Sequence, residues 1–208
     1  MGRYEGVPVT EWLNDGRRIK MREPFAFIDD ENLKWDVPAN AIVDGASIPR
    51  MLWSLIGGPF EGKYRDASII HDWYCDRRSR PWQAVHHMFF QAMIASGVGL
   101  GRAKLLYASV YMGGPRWSET VISNANLMAD DDLAGSGRAP PGGPSLPQGG
   151  DVMIKRVYRY DLNEADLATL KNSLRATSTL DDIEANIDAF TENMPQITLS
   201  EHSEKLTG

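Results

Sequence analysis

Residues 134–150, "AGSGRAPPGGPSLPQGG", are almost wholly Gly, Pro, Ser and Ala. Such a stretch carries too little apolar surface to offset the entropy of ordering it, so it reads as a linker. It cuts the chain into a body before it and a shorter segment after it, and each must find its own core. The boundaries fall at 1–115 for a first α+β domain, 116–150 for a flexible linker, and 151–208 for an accessory segment. Of the 208 residues, enough lie before the linker to bury a sizeable core.

The charge follows the same division. Between Asp151 and Gly208 there are 11 acidic and 6 basic residues, which leaves residues 1–150 one charge from neutral. A nucleic-acid-binding body would show a basic face, and the short cluster Arg77, Arg78 and Arg80 does not make one. No nucleic-acid partner is expected. No run approaches the roughly 18 apolar residues of a membrane span, so no transmembrane segment is expected either. The first 20 residues, "MGRYEGVPVTEWLNDGRRIK", lack the apolar core of a secretory signal. Gly6 stands where myristoylation needs Ser or Thr. The single cysteine, Cys75, excludes an intrachain disulfide framework and fits a reducing compartment. The expectation is a cytoplasmic protein.

Within the first domain, Phe25–Ile28, Leu33–Asp36 and Ala41–Val43 have the composition of short strands. The acidic "DDEN" between the first two predicts a hairpin. "IPRMLWSLIG" predicts a short helix with Pro49 in its first turn, and "GGPFEG", residues 57–62, a glycine-rich loop. Three helices follow, over Tyr64–Arg77, from an N-cap at Ser79 to Ser96, and over Arg102–Met112. Connections this short predict antiparallel neighbours. After the linker, "MIKRVYRYDL" predicts a strand, and helices start at Asn163 and, capped by Thr179, near Leu180. The last residues are expected to fray. The fold class is therefore α+β: a small antiparallel hairpin or sheet, a three- to four-helix antiparallel bundle, the Pro/Gly linker, and a small acidic C-terminal segment.

The chemistry concentrates in "ASIIHDWYCDRR", residues 67–78. Three- and four-residue spacing puts His71 on one helix face with Tyr64, Ala67, Ser68, Tyr74 and Cys75. Asp72 lies about 100° around the helix, so the adjacent pair is not itself a hydrogen-bonded dyad. Each side chain needs its own partner: one facing substrate or water as a general base, the other holding a cation or a loop. On the second helix His86 shares the inward face of Trp82, Val85, Phe89 and Met93, while His87 lies towards the surface. If the two helices are neighbours, His86 approaches His71 or Asp72, and two imidazoles with a carboxylate suit a transition metal. The candidate metal ligands are accordingly His71, His86 and Asp72. Plainer readings stand beside these. A histidine on a partly apolar face is commonly structural, and Cys75 is most simply a small buried hydrophobe. A nucleophilic Cys75 with His71 one turn earlier is geometrically allowed. Ser47 lacks the G-x-S-x-G elbow of serine hydrolases, and "GLG" at 99–101 follows no strand, so it is not a dinucleotide fingerprint.

Four stretches, "VPANAIVDGASIPRMLWSLIG", "YRDASIIHDWYC", "SRPWQAVHHMFFQAM" and "RAKLLYASVYMGG", occur in an order that resembles the domain-of-unknown-function family 1353 of tailed phages, prophages and bacteria. The resemblance covers residues from about 24 to 114. It implies a compact α+β domain in which Asp44, His71 and Asp72 gather at one site. It also implies an acidic residue on the second helix, where this chain has His86. A more distant likeness joins the "HD" pair to secreted calcium-dependent phospholipases. There His71 would activate water, Asp72 would hold Ca2+, and "GGPFEG" would donate carbonyls. Those enzymes are stapled by disulfides, and their residue order after the pair differs from "HDWYC".

Two functions follow as expectations. One is a small hydrolase with His71, Asp72 and Asp44 as catalytic residues, assisted by a divalent cation, Ca2+ or Zn2+, in ester hydrolysis. The other is a non-enzymatic phage structural, assembly or interaction protein, virion-associated, in which the same cluster is structural. In either case residues 151–208 would engage phage or host proteins.

Overall fold

The computed structural model describes residues 1–44, 60, 62–122, 152–173 and 179–205. The helix expected over 48–57, most of the glycine-rich loop, and residues 123–150 of the linker lie outside the described residues. The chain divides into two compact units, Met1–Arg116 with Arg159–Ile197, and Trp117–Tyr158 with Thr198–Gly208.

The first unit opens with six short strands: β1 (Arg3–Glu5), β2 (Thr10–Trp12), β3 (Ile19–Met21), β4 (Phe25–Ile28), β5 (Lys34–Val37) and β6 (Ile42–Val43). They form two three-stranded antiparallel sheets, ordered β1-β4-β5 and β2-β3-β6. The β4–β5 hairpin appears where the strand composition and the acidic turn place it, with Phe27 opposite Trp35. Its turn is built on Asp29. One carboxylate oxygen accepts the backbone N–H groups of Glu31 (3.0 Å) and Leu33 (2.8 Å), and the other accepts the Trp35 indole N–H at 2.8 Å. Asn32 takes the left-handed conformation (φ 63°) that closes the loop, a role asparagine fills at low cost. Asp29→Ala would leave a buried indole N–H without an acceptor and should cost about 2 kcal/mol in chemical denaturation. A loss below about 0.5 kcal/mol would show that the backbone alone holds the turn.

A single 3-10 turn (Gly62–Tyr64) leads into three helices: α1 (Arg65–Arg77), α2 (Trp82–Ala95) and α3 (Leu100–Gly113). Their short connections make α1 pack on α2 and α2 on α3. The inward faces are apolar and close-packed, with Ile69, Val85, Phe89, Met93, Leu106 and Tyr107 fully buried. Polar bonds then tie the sheets to the helices. Tyr4 on β1 donates its hydroxyl to the Ala92 carbonyl (2.9 Å), and the Asp36 N–H of β5 donates to the Tyr74 hydroxyl (3.2 Å). Helix α2 begins after Pro81 rather than at the Ser79 cap, since Pro81 sits at the N-cap in an extended conformation.

The later elements are β7 (Arg116–Ile122), β8 (Val152–Tyr160), α4 (Glu164–Ser173), α5 (Leu180–Thr191) and β9 (Gln196–Lys205). Strands thus occur after the helices as well as before them. The first seven residues of the stretch assigned to the linker are β7, which pairs with β8 in a sheet ordered β7-β8-β9. Residues expected to fray at the C-terminus form β9 instead. The caps fall where their residues predict. Asn163 Oδ1 accepts the N–H groups of Ala165 and Asp166, and Thr179 with Asp182 makes a reciprocal capping box.

Helix α5 belongs to the first unit and packs on α3. Its Ile183 and Ile187 are buried, while Glu184 and Asp188 accept hydrogen bonds from the hydroxyls of Tyr107 and Tyr111. Part of the acidic C-terminal segment is therefore a component of the helical body. Burial, reinforced by the facing carboxylates, pushes both phenols above their ordinary range, so each remains a donor at any physiological pH.

Candidate functional site

Helix α1 carries a sequence that buries polar side chains: Ser68, His71 and Asp72 are as inaccessible as their apolar neighbours. Ser68 satisfies itself on the Tyr64 carbonyl (3.1 Å). His71 and Asp72 diverge as their 100° offset requires. His71 points at α2, where its Nε2 lies 2.8 Å from Nδ1 of His86. Asp72 points at the β6 end, where its Oδ2 accepts the Asp44 backbone N–H at 2.8 Å. The Asp44 carboxylate reaches elsewhere, to Arg17 at 3.0 Å. Of the four expected site residues, the fold joins His71 with His86 and Asp72 with Asp44, as two separate contacts.

The third member of the histidine cluster is Cys75. One turn beyond His71 on the same face, its sulfur lies 3.6 Å from His71 Nε2 and 3.9 Å from Nδ1. Among the described residues, His71, Cys75 and His86 form a group whose ligand atoms all lie within 4.8 Å of one another. Asp72 does not belong to that group. The sequence contains the signal for Cys75, a His-x3-Cys spacing on one helical face. Treating the thiol as a small hydrophobe hides it. His86 was placed inward by its apolar neighbours, and it is fully buried; His87 is half-buried.

Aromatic rings enclose the pair. Phe89 lies 4.6 Å from the His71 ring centroid, and Trp82 meets His86 edge-on at 5.5 Å. At the far edge of His86 sits Gly114. A Cβ there would come within 2.4 Å of the Val110 carbonyl and 3.3 Å of His86 Nε2, so only glycine lets the chain leave α3 this close to the imidazole. Burial drives the His71 pKa down to about 3. Burial, then His71 and the Arg116 guanidinium, hold His86 well below its ordinary value. Both rings are neutral at pH 7. One must donate and the other accept, and among the described residues His86 Nε2 has no partner. Donation from His86 Nδ1 to His71 Nε2 leaves only a bare lone pair at that orphaned nitrogen. It also turns the His71 Nδ1 proton towards the Cys75 sulfur. The opposite tautomer would strand a buried N–H, so the first is favoured.

These properties limit the chemistry. A histidine held near pKa 3 is a poor general base at neutral pH, and it is too weak to ionise the Cys75 thiol. Two neutral imidazoles and a thiol already have the protonation state, or one proton more, that a transition-metal site requires.

Residues 19–110, less than half of the chain, match a protein family described as "Protein of unknown function (DUF1353)". The match spans strands β3, β4, β5 and β6, and helices α1 and α2 with most of α3. Two curated relatives come from Sinorhizobium fredii (strain NBRC 101917 / NGR234). Uncharacterized protein y4jT is 41% identical over 126 residues, covering 59% of this chain and 38% of its own length. Uncharacterized protein y4iH is 42% identical over 107 residues, covering 51% and 45%. The chain thus spans less than half the length of the curated relatives it matches. No solved structure matches it significantly. Among the described residues no helix is long and apolar enough to cross a membrane.

Proposed function

We propose that the first unit is a hydrolase-type domain acting on an ester, with His71 and His86 at its reacting centre and a divalent cation supplying the nucleophile. The observation that carries this is the 2.8 Å meeting of two neutral, buried imidazoles from neighbouring helices. Acid–base catalysis without a cation is disfavoured by the depressed pKa of His71, about 3. With a cation bound that obstacle would fall away: the two imidazoles would serve as its ligands, and it would supply a water of pKa lowered towards 7. Asp72 then acts at a distance, by holding the start of the "DGAS" segment through the Asp44 N–H.

The test is hydrolysis of a panel of short-chain and phospholipid esters by the full chain, with and without a chelator. Activity that needs a divalent cation and drops by at least two orders of magnitude in a folded His71→Gln variant supports the reading. Absence of turnover with every cation, or turnover indifferent to His71→Gln, would sink it.

A second reading is favoured by the depth of the pair, 1% exposed at His71 and 0% at His86. The cluster is then a clasp between α1 and α2 in a non-enzymatic interaction or assembly protein of the phage type that the family resemblance implies. Its docking surface is then the part of residues 151–208 that lies outside the helical body. On that reading His71→Gln lowers stability and nothing else.

A further inference from the structure

The thiol in the cluster points to one class of cation. We propose that His71 Nε2, His86 Nδ1 and Cys75 Sγ form a three-residue site for a zinc-class transition metal, not for calcium. The inference uses the same residues as the hydrolase reading and names the cation for it, but metal binding can be tested without any hydrolysis.

The spacing already approaches what zinc needs. Tetrahedral zinc with Zn–N of about 2.0–2.1 Å and Zn–S of about 2.3 Å sets N···S near 3.6 Å and N···N near 3.3 Å. His71 Nε2 and the Cys75 sulfur stand 3.6 Å apart, and the two ring nitrogens stand 2.8 Å apart. Seating the ion would open the two nitrogens by about 0.5 Å and bring His86 and the sulfur, which lie within 4.8 Å of each other, to about 3.6 Å. The ligand pair His71 and Cys75 is rigid because both sit on one helix a turn apart. His86 comes from the neighbouring helix, so the ion would join the two. Calcium takes six to eight oxygen ligands, and this group offers none. Imidazole and thiolate instead select zinc, cobalt and their neighbours.

The proton count is definite. Each imidazole stays neutral: the proton that His86 shares with His71 moves to Nε2, the nitrogen that lacks a partner in the metal-free fold. The Cys75 thiol loses its proton to solvent as the metal–sulfur bond forms. One proton is released for each divalent ion bound, and no electron moves.

The experiment is titration of the full chain, stripped with chelator, with Co2+ as the optical probe and Zn2+ as competitor. The expected result is one Co2+ per chain, visible ligand-field bands of a tetrahedral ion, and a sulfur-to-cobalt charge-transfer band in the near ultraviolet. Zn2+ should bleach them. Calorimetry in two buffers of different ionisation enthalpy should give one proton released. Cys75→Ser should abolish the charge-transfer band, and His86→Gln should weaken binding at least tenfold. Each variant is compared with wild type by circular dichroism in chelator, so that loss of fold is not read as loss of a ligand. Absence of a charge-transfer band in the wild type, or its persistence in Cys75→Ser, would overturn the inference. Ester hydrolysis by a chain that lacks the cobalt band would overturn the metal site and leave the hydrolase reading standing. A cobalt site without hydrolysis would do the reverse.

Discussion

In metal-free protein the unfolding free energy should fall by up to about 2.7 kcal/mol per pH unit as the pH drops below roughly 6. The cause is the pair of buried imidazoles. His71 is held near pKa 3 and His86 well below its ordinary value, so the unfolded state binds the more protons at both once the pH falls below about 6.5. The unfolded chain takes up a proton at each near pH 6.5. More protons on the unfolded state means that stability rises with pH here. It is complete above about 6.5 and is lost as pH falls, until the native rings themselves protonate. Each histidine contributes about 1.4 kcal/mol per unit, and two give the stated slope. Denaturant titrations in chelator at several pH values measure it. His86→Gln, which leaves one buried imidazole, should about halve the slope. A stability that stays flat between pH 6.5 and 4.5 would mean that the rings titrate freely in the native state.

The second large effect is expected at Arg116. This guanidinium is 4% exposed and lies over Trp82 at 4.3 Å, Tyr160 at 4.7 Å and Tyr111 at 5.1 Å. It donates to the Tyr111 carbonyl at 2.9 Å, and its nearest carboxylate, on Asp188, is 3.7 Å away. A desolvated cation over aromatic faces is stabilised by about 2 kcal/mol or more, and its bond to a buried carbonyl adds about 1 kcal/mol. Arg116→Ala should therefore cost about 3 kcal/mol in thermal or denaturant unfolding. Arg116→Lys should recover less than half of that, because an ammonium has neither the flat face for three rings nor the fork for the carbonyl. Equal stability of the lysine variant and wild type would show that charge alone matters there. Arg116 also depresses His86, though less than burial and His71 do. Its loss should leave the metal-free acid slope almost unchanged.

What the chain reveals in its residues alone depends on how many residues each feature averages over. The hairpin is legible because "PFAF" and "LKWD" have strand composition around an acidic turn, and Asp29 makes that turn. The observed second strand is shifted by one residue, Lys34–Val37, since Asp29 captures the Leu33 N–H for the loop. Strands β1, β2 and β3 are only three residues each, too short to show a period of two. They exist because of pairing: β1 on β4, β3 on β6, and β2 on β3. The helices are long enough for their apolar faces to be unmistakable, and α2 deviates only at its start.

The site divides along a similar line. Helical geometry alone separates His71 from Asp72, turns His86 inward and puts Cys75 beneath His71. It does not say which partner each polar group meets across the helix interface. The Asp72 contact with Asp44 comes from a strand end some thirty positions earlier, and the Arg116 stack draws on Trp82 and Tyr160, far away in sequence. Such pairings depend on how elements pack, which no local pattern encodes. The same holds for α5, whose Glu184 and Asp188 read as surface charge until Tyr107 and Tyr111 are placed opposite them.

The most direct test of the His71–Cys75–His86 centre is thermal unfolding at pH 7.5 of wild type and His86→Gln, each with chelator, Zn2+ or Ca2+. A metal at about a hundred times its dissociation constant stabilises the native state by roughly 2.7 kcal/mol, a rise of roughly 5–10 °C for a chain this long. That rise is expected in the wild type with Zn2+ only, and its loss in His86→Gln. A rise with Ca2+ alone, no rise with either ion, or an undiminished Zn2+ effect in His86→Gln would contradict that expectation.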